Sequence, residues 1–320
     1  MKVSNIFRNC LNWVIGGFFV WLVVSHTDLV QLIKSLIDVN YFWLILASVF
    51  YSLEYVLRIS RWKAMLLTQN PMLSWRNCSV PLLLSYAVNA VLPFRAGDAI
   101  RCFSFNTRLG VGSGVLLATL FVERMLDFLV VLIFLGLVLS VFNFESLPFI
   151  NLGMFSLILA CASLVAFLLF PKLLLPLLVI IRKVIACVPS KHEAKLSLGL
   201  TNGISTLEDL SKNHTILGLI GYSLALWITE GCVFLCVAKS LPTLTHPEAA
   251  FLALPVGTLA TLIPSTPGYI GTFDYFVLLS VELFNNTHAA ALAYVMIIHA
   301  ILLIPPMVLG VTYLLFGVKK

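Results

Sequence analysis

Two apolar stretches that stop too soon constrain this chain more than anything else in it. Residues 80–92 and 249–263 are 13 and 15 residues long, and they run into Pro93 and Pro264 respectively. A helix needs about 20 apolar residues to cross a bilayer, so neither stretch crosses alone. Around them stand the runs read here as spanning helices: residues 11–24, 41–57, 111–142, 149–170, 215–238 and 289–316. With 60% hydrophobic and 11% charged residues, and a mean hydropathy of +1.03, the chain lies outside the range of soluble domains. The expectation is an all-α polytopic transmembrane helical bundle, one membrane domain over residues 1–320 with no soluble module.

The basic residues sort by loop. Fourteen of the 20 Lys and Arg fall in residues 1–10, 58–79, 171–214 and 317–320, and only Lys34 and Lys239 fall in the loops between. Positive loops stay cytoplasmic, so both termini are expected inside the cell, in the plasma membrane. The segment 171–214 becomes a cytoplasmic polar stretch. The net charge of +6 then answers to anionic lipid, not nucleic acid. This topology closes only if two regions, about 80–110 and 249–284, enter and leave on the same face. They are expected to form re-entrant helical hairpins facing opposite ways, with breaks at Pro93, Gly97, Pro264, Pro267 and Gly271. Their tips share an aliphatic-Pro-x-x-x-Gly core, the kind of matched interruption found in inverted-repeat transporters.

Charges at membrane depth mark the candidate site. Arg95, Asp98 and Arg101 recur every three residues and share one helix face. Their guanidinium groups suit phosphate, although a cytoplasmic loop with ordinary surface charges explains them too. Glu123, Arg124 and Asp127 interrupt the longest apolar run, as a cavity lining or as a packing ion pair. In the second hairpin, Gly268 to Asp274 would bring backbone amides to an anion at a helix start. Glu230 and His299 are lone polar residues, read first as packing residues.

Catalytic signatures are missing from the sequence. There is no G-x-S-x-G, P-loop or dinucleotide fingerprint, no catalytic residue is assigned, and no cofactor is expected. The six histidines and seven cysteines show no metal-ligand spacing. The competing reading is a membrane enzyme, or an accessory subunit, acting on a polyprenyl-phosphate or glycolipid substrate.

Taken together, Arg58-x-x-Arg61-Trp62, Leu92-Pro-Phe-Arg-Ala-Gly-Asp-x-x-Arg101, Val122-Glu-Arg-x-x-Asp127 and Pro264-x-x-Pro-Gly-x-x-Gly-x-x-Asp274 resemble the membrane domain of lysylphosphatidylglycerol synthases and their stand-alone, flippase-like homologues. The resemblance implies two re-entrant helices and transbilayer movement of a lipid. Two departures stand out: Asp274 where that family usually has Glu, and His299 near a usual Arg. The soluble aminoacyl-transferring domain has no counterpart in these 320 residues, so lysyl-lipid synthesis is not expected of this chain by itself.

The reading is then a lipid translocase without enzymatic activity. Arg95, Arg101 and Arg124 hold a phosphate, and Asp98, Glu123 and Asp127 balance it or receive a cationic group. Expected partners are membrane lipids with an anionic headgroup or an isoprenoid phosphate, with a second copy of the chain or a lipid-synthesis enzyme as protein partners.

Overall fold

Long apolar runs become helices because hydrocarbon offers the backbone no other hydrogen-bond partners. Short polar side chains then set where those helices begin. The structure, a computed structural model, describes residues 16–25, 28–92, 95–142, 150–186, 190–263 and 266–316. Helix α1 (Gly16–Val24) is followed by α2 (Leu29–Ile37), whose first amides are capped by Asp28. Asn40 caps α3 (Tyr41–Leu66), accepting from Phe42 N–H at 3.0 Å, and Ser74 caps α4 (Trp75–Val91).

Short helices α5 (Ala96–Ser104) and α6 (Asn106–Leu109) lead into α7 (Ser113–Val141). Then come α8 (Ile150–Leu169), α9 (Leu175–Ala186), α10 (Ser190–Leu210) and α11 (Asn213–Ser240). The chain closes with α12 (Ala250–Ala260), α13 (Thr272–Glu282) and α14 (His288–Phe316). Among the described residues α3, α7, α8, α11 and α14 are long and apolar enough to span, with the bent pair α1 and α2 as a sixth candidate. The protein is a polytopic helical bundle. The expected breaks Pro93 and Pro264 lie outside the described residues.

Where the run 41–57 was expected to end in a basic loop, α3 continues to Leu66. This carries Arg58 and Arg61 into the interior, so both leave the count of loop cations. The helix persists because Arg61, only 1% exposed, finds a carboxylate and a hydroxyl there.

Two halves of the chain repeat one architecture. Exchanging α2 with α10, α3 with α11, α4 with α12, α5 with α13 and α7 with α14 maps most packed pairs onto packed pairs, the contacts of α11 with α7 and with α10 being the exceptions. Thus α4 packs on α14 as α12 packs on α7, α5 on α7 as α13 on α14, and α2 on α14 as α10 on α7, while α3 lies against α11 itself. The register is that of the charges. Asp98 and Asp274 are each the third residue of their helices, and Arg124 and His299 each the twelfth. The residues just before α5 and α13, Arg95 and Gly271, both have positive φ. The Pro-x-x-x-Gly likeness does not share this register. Gly97 is helical and lies against the Ser85 carbonyl of α4, whereas Gly268 sits in a turn at φ +68°.

Candidate functional site

α3, α4, α7, α11, α12 and α14, with residues around the starts of α5 and α13, line a cavity of about 230 Å³. Its lining includes apolar side chains, among them Phe128, Val131, Phe234, Leu302, Leu303 and Pro306, and the charged residues Glu54, Arg58, Arg95, Arg124, Asp127 and Glu230.

Most of these charges are paired across helices. Arg58 donates from Nε to Glu54 at 2.6 Å, from Nη1 to the Tyr86 hydroxyl at 2.9 Å and from Nη2 to Glu230 at 3.1 Å. It therefore ties α3 to α4 and α11. Arg61 donates to Asp127 at 2.7 Å and to the Ser223 hydroxyl at 2.8 Å, and the Trp227 indole N–H reaches the same carboxylate at 3.3 Å. Arg124 meets Asp98 at 3.1 Å, Glu123 at 3.4 Å and Asp127 at 3.7 Å. Asp98 also accepts from Ser85 and Asn89, and Asn89 in turn accepts from the Gly97 N–H at 2.8 Å. A buried charge is tolerable only with such partners.

Arg95 is different. Its Nε donates to the Tyr269 hydroxyl at 3.0 Å and its Nη2 to Thr261 at 3.2 Å. Among the described residues no carboxylate lies within 4.0 Å of it. This guanidinium lines the cavity with its charge unbalanced by a direct partner, and it joins the first broken pair to the second.

The structure sorts the remaining sequence-derived candidates. Arg101 and Glu123 do not line the cavity: Arg101 lies 3.2 Å from Glu123 and 4.9 Å over the Trp62 ring, buried behind the wall. Asp98 stands behind Arg124. The turn of the second half was expected to offer free amides to an anion. Instead Asp274 itself accepts from Gly271 N–H at 2.8 Å, which uses that donor internally. The imidazole of His299 bridges Asp274 and the Gly268 carbonyl and lines the cavity with Gly268. The two departures from the family pattern, Asp274 and His299, are thus in contact with each other.

Glu230, read as a packing residue, is a cavity acid held by Arg58. Glu54 was missed altogether, although its i, i+4 spacing from Arg58 is the usual signature of a helix ion pair. The tyrosines Tyr51, Tyr55 and Tyr86, packed edge to face in the cavity lining, carried no sequence signal.

A membrane protein of Methanocaldococcus jannaschii, named UPF0104 membrane protein MJ1595, is 23% identical over 327 residues, covering 97% of this chain and 95% of that protein. A protein of Haloferax volcanii, named glycosyltransferase AglD, is 24% identical over 309 residues, which is 88% of this chain and 50% of that protein. The chain therefore spans half the length of the glycosyltransferase. The family model for the lysylphosphatidylglycerol synthase TM region matches residues 9–310, and with nearly its whole length matched this integral membrane protein belongs to that family.

Proposed function

We propose that this protein moves a phosphate-bearing lipid between bilayer leaflets. The observation that carries this reading is Arg95, a guanidinium with no carboxylate within 4.0 Å among the described residues, in the lining of a cavity that carries both apolar and charged side chains. A guanidinium fits phosphate oxygens with two parallel hydrogen bonds, and the apolar side chains suit the start of an acyl or isoprenoid chain. In this reading the pairs α4–α5 and α12–α13 are re-entrant from opposite faces. The protein sits in the plasma membrane with its basic loops and both termini in the cytoplasm, and it forms no covalent bond with the lipid.

A second reading has one supporting observation, the relative named glycosyltransferase that is twice this chain's length. There the family's membrane domain would present a lipid-linked substrate to a catalytic partner, carried on the same chain or a separate one.

Reconstitution into vesicles with a fluorescent phospholipid tests the first reading. Lipid should cross faster than in protein-free vesicles, and Arg95→Ala should slow it about tenfold to hundredfold, the loss of one charged hydrogen-bonding group. Equal rates with and without protein, across anionic and isoprenoid-phosphate lipids, would overturn it.

A further inference from the structure

His299 has a hydrogen-bond acceptor at each ring nitrogen. Its Nε2 lies 3.0 Å from the Gly268 carbonyl oxygen, which can only accept, so Nε2 carries a proton. Its Nδ1 faces Oδ1 of Asp274. An imidazole with its single proton on Nε2 presents a lone pair at Nδ1, and a lone pair does not bond to a carboxylate oxygen. The contact therefore contains a second proton, carried by the ring as imidazolium or by Asp274 as an acid. The pair as it stands holds one proton more than a neutral imidazole and a carboxylate.

That proton is wired to the cavity. Asp274 also caps Gly271, and Gly268, Tyr269 and Gly271 all take positive φ within four residues, at 68°, 61° and 93°. The turn they form is held in shape by the Asp274 and His299 contacts. It presents the Tyr269 hydroxyl that receives Arg95. In the other half the same helix positions hold Asp98 and Arg124, a pair whose cation does not titrate.

The ionisable groups around His299 have other commitments. Tyr51 of α3 donates to the Leu302 carbonyl, Tyr86 of α4 accepts from Arg58, and Glu230 of α11 is held by Arg58. From α13, Phe273 packs edge to face on the imidazole, and Glu282 at the far end is bound to His288, the first residue of α14. Packed on α14, α2 brings Lys34 and is flanked by Asp28 and Asp38. Among the described residues Asp274 is the one carboxylate within 4.0 Å of the His299 ring.

We propose that Asp274 and His299 form a proton-binding site coupled through the Gly268–Gly271 turn and Tyr269 to Arg95, so that a proton and the phosphate of a lipid bind cooperatively. The lipid end of this coupling rests on the translocase reading; the proton site does not. Loss of the proton to water leaves a carboxylate facing an imidazole lone pair, which loosens the turn and withdraws Tyr269 from Arg95.

The test uses the intact protein in detergent, with histidines labelled with nitrogen-15 and short-chain phosphatidic acid as the ligand. The His299 resonance should titrate differently in Asp274→Asn than in the unmodified protein. Affinity for phosphatidic acid should fall about tenfold as the proton leaves, which is one unit of linked pKa shift. His299→Arg, which places a fixed cation at the position matching Arg124, should bind with that pH dependence removed. The proposal is overturned if His299 titrates identically with and without Asp274, or if His299→Arg keeps the full pH dependence. Should vesicles show no lipid movement while binding stays coupled to pH, the translocase reading falls and the proton site stands.

Discussion

Asp127→Ala is expected to destabilise the protein by about 3–5 kcal/mol, the cost of leaving a buried cation without its partner. The cation is Arg61, 1% exposed, which would keep only the Ser223 hydroxyl, while the Trp227 indole N–H would lose its acceptor as well. These contacts join α3, α7 and α11 at the centre of the bundle, so the loss should spread to all three. Thermal unfolding in detergent, followed by size-exclusion chromatography, is the measurement. The double change Arg61→Leu with Asp127→Leu should recover most of the stability, because removing both members of a buried pair leaves no orphaned charge. A double variant as unstable as the single one would mean that the ion pair is not what the site contributes.

Gly97→Val is expected to cost about 3 kcal/mol, the upper end of overpacking penalties. A Cβ at position 97 would overlap the Ser85 carbonyl and stand 2.8 Å from the Asn89 side chain, which also accepts from the Gly97 N–H. Two backbones meet there, and neither can yield as a flexible side chain would. α5 would have to swing away from α4, taking Asp98 from Ser85, Asn89 and Arg124 together. The expected signature is reduced yield of folded protein and a lower thermal midpoint in detergent. A Gly97→Val protein as stable as the original would show that the close approach of α4 and α5 does not matter.

How much of this was legible in sequence depends on which residues are considered. Glu123, Arg124 and Asp127 stood out because a charge inside an apolar run is costly whatever it touches, and Asp127 with Arg124 do line the cavity. Arg58 and Arg61 were misplaced because a basic cluster at the end of an apolar run looks the same as a cytoplasmic loop. What decides between them is Asp127, 66 residues further on, and nothing local in the chain reports that distance. Glu230 was set aside as a lone polar residue for the same reason, its partner Arg58 being 172 residues away.

Proline and glycine punctuate any helix break, so their spacing can match where the structure differs: Gly97 lies inside α5, and Gly268 in a turn ahead of α13. The closer correspondence is one acid and one basic residue per half, at equal positions along their helices. Those four residues were all noted in the sequence, yet their pairing needs two helices to be superimposed, which a linear pattern does not supply.

Arg95 enters α5 with φ 52° and ψ 42°, a left-handed conformation that costs a residue with a side chain about 1–2 kcal/mol. No side-chain cap holds it there. Its carbonyl accepts from the Asp98 N–H at 3.0 Å, and Tyr269 and Thr261 grip its guanidinium. Holding the backbone there also fixes where the guanidinium stands in the cavity lining. The entry to α5 is therefore set from the other half of the chain: a change at Thr261 or Tyr269, 166 or 174 residues away in sequence, would be felt in the backbone at Arg95.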